Sequence, residues 1–227
     1  VAETFAAVGD IAANLLHRVN NQVGTIPVRV EGIQDKCAAA LAADSYLATN
    51  LEQIERSAAE AMAVMRDTLF HLRPIHLMPV HLADCVQEAI AESHLPPTVR
   101  IETVGLDGLP VVYAGPRRLS LVFTNLLENA ATAMEGAGVI TLCGAASGAW
   151  VEVQVSDSGP GIAPELHERI FEFSYSSRQA HAGKLGFGLW WVKTLMARFG
   201  GSVTVDSDGQ HGATFTLRLP VAEATVN

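Results

Sequence analysis

Two asparagines four residues apart, Asn125 and Asn129, could act together with two glycine-rich strings further along the chain. The first string is Asp157-Ser158-Gly159-Pro160-Gly161, and the second is Gly186-Phe187-Gly188-Leu189. On a helix, side chains four apart share a face. Their amide oxygens are hard donors suited to Mg²⁺, which keeps several waters and bridges substrate phosphates. Asp157 closes an alternating stretch, Val151, Val153, Val155, that reads as a strand. A carboxylate there can accept a hydrogen bond from an exocyclic amine such as adenine N6. Gly159 and Gly161 permit positive φ and close backbone approach. Residues 183–189 run into a helix, whose first amides can hold phosphate oxygens. Taken singly, each string has a plain explanation: solvent-facing asparagines, an Asp-Gly turn, a loop before a helix. In this order and spacing they describe one nucleotide pocket: amides for a metal and phosphates, a carboxylate for a base, and glycine turns that let backbone approach a ligand.

A second reactive candidate lies far upstream. Leu16-His17-Arg18-Val19-Asn20-Asn21 falls on an amphipathic helix. Leu15, Val19 and Val23 serve its apolar stripe, so His17 can point outward and offer a neutral ring nitrogen. The chain has eight histidines, so a lone helical His would ordinarily be a surface residue. The pocket downstream gives a reason to consider His17, since a nucleotide's terminal phosphoryl group would then have somewhere to go.

These groups need two kinds of support. The first third reads as two long helices. One carries Phe5, Val8, Ala12, Leu15, Val19, Val23, Ile26, Val30 and Ile33, and the other runs from Leu47 to Leu72 at the same three- and four-residue steps. The connection, residues 35–45, is alanine-rich, and Asp44 or Ser45 can cap the second helix. Such a hairpin buries too little surface alone, so a homodimeric four-helix bundle is expected. Pro74 and Pro79 mark a boundary, giving a hairpin domain at 1–74 and an ATP-binding domain at 75–227. The second domain alternates in type. Helices are expected at 81–93, 115–134, 164–170 and 189–199. Strands are expected at 99–104, 139–143 and 150–156, with a closing hairpin, 202–206 and 213–219, around Asp208-Gly209. The fold class is therefore α+β: a helical hairpin followed by an α/β sandwich with helices on one face of a mixed sheet.

Composition narrows the function. The net charge is −9 with no basic run, which disfavours nucleic acid as a partner. Acidic protein and phosphate are compatible when a divalent ion mediates. Cys37, Cys85 and Cys143 are far apart, with no disulfide or zinc pattern, so a cytoplasmic setting is expected. No run reaches the roughly 20 apolar residues of a membrane span, and no signal-peptide pattern opens the chain. A chain that opens on Val1 is expected to belong to a longer protein, and any membrane link would lie upstream.

The three strings resemble the N, G1 and G2 boxes of the histidine-kinase branch of the GHKL ATPase superfamily, whose domain is the Bergerat-type sandwich. Residues 170–178 resemble that branch's F box and the start of its ATP lid, and the likeness extends from Pro79 to Pro220 through Gly200-Gly201 and Gly212-Ala213-Thr214-Phe215. The resemblance implies that Asn129 coordinates Mg²⁺ and that Asn125 lines the phosphate site. It implies that Asp157, with Gly159 and Gly161, receives adenine. Arg178, Lys184, Gly186 and Gly188 would meet the phosphates. The string around His17 resembles the H box of two-component sensor kinases. That implies autophosphorylation of His17, transfer to a response-regulator aspartate, and a role for Asn21 in placing water for dephosphorylation.

The departures are specific. Lys184 stands where the G2 string usually has a glycine, Thr132 where a lysine is frequent, and Gly115 where an acidic residue often precedes Pro116. Arg18 follows His17 in place of the usual carboxylate and cannot act as a base. Gln22 replaces a common proline. Water-attacking relatives carry Glu where this chain has Asn125, so a clamp-type ATPase is disfavoured and a protein nucleophile favoured. The alternative is a phosphatase-biased or non-catalytic nucleotide-binding scaffold, with Arg18 and Lys184 as its signature.

Overall fold

The computed structural model describes Val19 and residues 21–72, 74–172 and 188–222. The chain divides into two compact units, Val1–Pro74 and Ile75–Asn227.

In the first unit, residues 21–23 are helical and a turn at Gly24 leads into α1, Thr25–Lys36. A short helix α2, Ala38–Ala43, follows, and then the long α3, Ser45–Leu72. The expected simple turn is thus a six-residue helix, because an Ala-Ala-Ala-Leu-Ala-Ala run has the highest helix propensity available. Non-helical backbone at Cys37 and Asp44 bounds it. Asp44 caps α3 as expected: the Leu47 N–H donates to its Oδ1 at 3.1 Å. Val30, Leu51 and Ala58 are buried, and Gln34 donates to Glu55 across the hairpin at 3.3 Å. Much of the stripe stays uncovered, with Val28 at 69% and Ile54 at 50% exposure. The hairpin leaves an open groove lined by Val23, Ile26, Ile54, Ala58 and Ala61.

The second unit is built on a five-stranded mixed sheet in the order β2-β4-β5-β7-β6. Its strands are β2 Val99–Val104, β4 Gly138–Ser147, β5 Trp150–Asp157, β6 Ser202–Asp206 and β7 Thr214–Pro220. β2 and β4 run parallel; the remaining pairs are antiparallel. A two-stranded sheet pairs β1, Met78–Val80, with β3, Val112–Ala114. Neither of these short strands is expected from the sequence. Pro79, read there as a boundary, lies inside β1 opposite Tyr113, where a two-stranded sheet tolerates its missing N–H.

Period-two alternation turns Ile140, Leu142, Val151, Val153, Val155, Phe215, Leu217 and Leu219 to one face, where all are at most 6% exposed. Helices α4 Leu82–Glu92, α5 Pro116–Ala133 and α6 Gly188–Arg198 belong to the same core. Helix α5 is the middle one, packing on both α4 and α6 and on β4 and β5. The opposite sheet face is polar, with Arg218 over the Trp150 ring at 4.5 Å and 3.3 Å from Glu152. The expected helix at 164–170 is instead two 3₁₀ turns, Pro164–Leu166 and Arg169–Phe171. Seven residues give too few α-helical bonds to offset nucleation, and Ile170 and Phe171 are held by the core instead.

All three cysteines are free. Burial pushes the Cys85 thiol up to about 11, so it is an inert packing group. Among the described residues no helix is long and apolar enough to cross a membrane.

Phe123 is fully buried at the middle of α5. Phe123→Ala should destabilise the second unit by about 3–5 kcal/mol. Thermal unfolding should show a midpoint lower by roughly 2–4 °C per kcal/mol.

Candidate functional site

The site grows from how α5 is set. Pro116 opens the helix after Gly115, whose carbonyl accepts from the Arg118 and Leu119 amides. Leu119, Val122, Phe123, Leu126 and Leu127 are all at most 1% exposed, so they fix the helix's rotation against the core. Asn125 and Asn129 are then left half-buried on another side. The Asn125 amide nitrogen donates to the Leu121 carbonyl at 2.9 Å, which leaves Oδ1 for other use.

The first residue of α6 comes to meet them. A Cβ placed on Gly188 would lie 2.8 Å from Asn125 Oδ1 and 3.7 Å from Asn129 Nδ2. A helix N-terminus, with its unpaired amides, therefore abuts both asparagines. The sequence reading assigns the phosphate end to these residues.

Asp157 ends β5, and its backbone N–H donates to the Ala213 carbonyl at 3.0 Å. Its Oδ1 accepts from the Gly159 amide at 2.8 Å. Gly159 packs against Ala133 and Met134, at the C-terminal end of α5. The Ser158 hydroxyl accepts from the Val139 amide at 3.0 Å, tying this loop to β4. One helix therefore has Gly188 beside its asparagines and the Asp157 loop at its end.

A third segment, absent from the sequence reading of the site, completes the Asp157 end. The β6–β7 loop lies against it. The Gly212 amide donates to the Gly159 carbonyl at 2.7 Å. Gly212 has φ +71°, and a Cβ there would overlap the Asp157 carbonyl oxygen, so no other residue fits. Gly161 faces Ser207 and the Gln210 amide in the same loop. Within the loop, Asp208 accepts from the Gln210 and His211 amides and pairs with His211 Nδ1 at 2.7 Å, which holds its carboxyl down at about 2.

Electrostatics distinguish Asp157. Burial raises its carboxyl pKa, and the hydrogen bonds from Gly159 and Ala213 only partly counter this. It is a desolvated acceptor aimed into a half-buried loop. Among the described residues no group of three His, Cys, Asp or Glu could hold a metal ion. The donor set at the other end fits Mg²⁺ differently, through an asparagine amide oxygen supplemented by phosphates and water.

Asn125, Asn129, Asp157, Gly159, Gly161 and Gly188 thus gather around one helix. Asn21 is exposed on the first unit. His17, Arg178, Lys184 and Gly186 lie outside the described residues.

A mixed α+β sandwich with asparagines, a helix N-terminus and a half-buried aspartate at its helical layer has the form of a nucleotide-binding domain. Residues 114–223 match the family described as "Histidine kinase-, DNA gyrase B-, and HSP90-like ATPase". The chain is 28% identical over 222 residues to the sensor histidine kinase ZraS of Escherichia coli strain K12, covering 96% of this chain and 47% of that protein. It is 40% identical over 116 residues to the adaptive-response sensory kinase SasA of Synechococcus sp. strain CC9311, covering 50% of this chain and 30% of that protein. The crystal structure of full-length ShkA in complex with AMPPNP superposes with a TM-score of 0.70 at 25% identity, over 95% of this chain and 46% of that one. The chain spans about half the length of the ZraS relatives it matches. The chain carries a histidine-kinase-type ATPase domain and is similar along most of its length to two-component sensor histidine kinases.

Two outcomes test the site. Asp157→Asn should weaken adenine-nucleotide affinity at least tenfold in calorimetry, while the thermal midpoint at neutral pH holds or rises. The sign follows from the raised pKa: the folded state holds this proton more tightly than the unfolded one. The carboxyl therefore favours the fold most in acid, and that contribution is lost as pH rises through the raised pKa. Nucleotide affinity runs the other way, falling as acid protonates Asp157, at a higher pH than an ordinary aspartate would require. Gly188→Ala should keep the fold, since alanine suits a helix better by about 1 kcal/mol. Its methyl must displace the Asn125 amide, so nucleotide binding should drop at least tenfold.

Proposed function

We propose that this chain binds ATP with Mg²⁺ in its second domain, 75–227, and transfers the γ-phosphoryl group to His17. A response-regulator receiver aspartate then takes it. The single observation that carries the reading is the meeting of Gly188, at the start of α6, with Asn125 and Asn129 on α5, while the Asp157 loop packs at the end of α5.

Each residue has a part in this reading. Asp157 accepts from adenine N6, with Gly159 and Gly161 admitting the ring. Asn129 supplies an oxygen to Mg²⁺, and Asn125 lines the phosphates. Gly186 and Gly188 present amides at the start of α6, and Arg178 and Lys184 bring positive charge. When bound, Mg²⁺ offsets phosphate charge that an acidic chain would otherwise repel. A neutral His17 nitrogen attacks the γ-phosphorus. The N–P bond forms as the bond to the β-phosphate oxygen breaks, ADP leaves, and the ring proton goes to water. Positioning and charge neutralisation supply most of the rate, as in other phosphoryl transfers. Asn125 cannot activate water, so the pocket favours a protein nucleophile. Asn21 holds the water that later hydrolyses the regulator's phosphate.

The hairpin domain, 1–74, would pair with a second copy into a four-helix bundle. Its uncovered Val28, Ile33, Leu47 and Ile54 support this, since a lone two-helix unit leaves them in water.

The test is incubation of the purified chain with γ-labelled ATP and Mg²⁺. An acid-labile, alkali-stable phosphate should appear, and His17→Gln should abolish it. Label that persists in that variant would remove His17 from the reaction; no label in the parent chain would favour a nucleotide-binding scaffold.

A further inference from the structure

The hydroxyl of Ser207 stands at the junction of three backbone segments. It donates to the Gly212 carbonyl at 2.6 Å. It accepts from the Ile162 amide at 2.9 Å and from the Gly209 amide at 3.3 Å. A serine hydroxyl has one proton and two lone pairs, so its hydrogen-bonding capacity is fully used. The three partners are Ile162 in the loop after β5, Gly209 at the tip of the β6–β7 loop, and Gly212 near that loop's end, before β7 begins.

The link reaches Asp157 in two steps. Gly212, held by Ser207 at its carbonyl, donates its own amide to the Gly159 carbonyl. Gly159 in turn donates to the Asp157 carboxylate. On the other side, Ile162 follows Gly161, whose α-carbon sits so near Ser207 that a Cβ would come within 2.8 Å of its oxygen. Both ends of the Asp157–Gly161 loop are therefore tied to one side chain. Ser207 itself is half-buried, so water replaces it only in part.

We propose that Ser207 is a positioning residue for purine recognition: its hydroxyl holds the Asp157–Gly161 loop so that the carboxylate meets the exocyclic amine of the base. This rests on the nucleotide reading above. Removing the hydroxyl leaves two amides and a carbonyl without their partner, and the loop then samples wider positions. The helix carrying Asn125 and Asn129 receives no bond from Ser207, so the phosphate end keeps its geometry.

The experiment compares the parent chain with Ser207→Ala and Ser207→Thr, using Mg²⁺-ADP and Mg²⁺-GDP as probes. Ser207→Ala should weaken ADP binding by about tenfold. It should also bring the ADP to GDP affinity ratio down, because selectivity depends on where the Asp157 carboxylate sits. Ser207→Thr, which keeps the hydroxyl, should stay within about threefold of the parent. In nucleotide-free protein, amide exchange at Gly159 and Gly212 should speed up in the alanine variant, while amides of residues 122–129 stay unchanged. A folded Ser207→Ala with parental affinity, purine ratio and exchange would overturn the proposal and leave the nucleotide reading intact. If Ser207→Ala does not fold, a threonine variant that binds like the parent supports the hydroxyl's role, and one that loses the purine ratio overturns it. A parent chain that binds no ADP would overturn the nucleotide reading, and this inference with it.

Discussion

The rotation of α5 on its sheet is the constraint from which the rest follows. Leu119, Val122, Phe123, Leu126, Leu127 and Ala130 present a continuous apolar face, and removing it from water is worth far more than any single polar contact nearby. Once that face is down, Asn125 and Asn129 have nowhere to point but the other side of the helix. The same burial sets the helix's length. Its C-terminal turn ends at Met134, where Gly159 packs in and Ser158 Oγ reaches the Met134 sulfur at 3.2 Å. A single hydrophobic decision thus spaces the two ends of the site, because the helix between them is rigid and rises about 1.5 Å per residue.

Glycine has a narrower role at this site than flexibility. At Gly188 the missing side chain lets a helix start press on an asparagine amide. At Gly212 it lets one loop's backbone touch another's carbonyl, in a conformation that L-residues avoid. Both contacts draw in strings far apart in sequence. They are tertiary contacts that need space and, at Gly212, the left-handed region. A β-branched residue at either place would separate segments that otherwise touch.

Much of this was legible beforehand. Strand β2 falls on Val99–Val104 as read, and α5 and α6 shift by a single residue at each end, because apolar period and flanking Gly or Pro agree there. The converging residues Asn125, Asp157 and Gly188 were legible from spacing, since helix and strand periodicity carries directional information. What escaped has a common physical character. Strands β1 and β3 have three residues each and exist through pairing with each other, Met78 with Ala114 and Val80 with Val112, which no local pattern records. The 3₁₀ turns around His167 depend on where Ile170 and Phe171 find the core. Ser207 bonds an amide 45 positions away, and a serine before Asp-Gly looks like any turn residue.

The half-buried carboxylate at Asp157 is where the fold and the proposed role pull apart. Its surroundings favour the protonated form, yet an amine-recognising acceptor needs the ionised one. The structure resolves this by supplying backbone donors. Gly159 and Ala213 each give the carboxylate a hydrogen bond, enough to moderate the burial penalty without cancelling it. A carboxylate so held has few waters to shed when a base arrives, and its remaining lone pairs already point in a fixed direction. Complete compensation would make it a satisfied structural ion pair, with nothing left to gain from a ligand. Complete exposure would make it a hydrated surface aspartate, with no preference for an amine over water. The intermediate state is maintained by the glycine turns and the β6–β7 loop. In the proposed reading, selectivity for a purine amine is therefore a property of the packing of three loops around one oxygen pair, as much as of the aspartate itself.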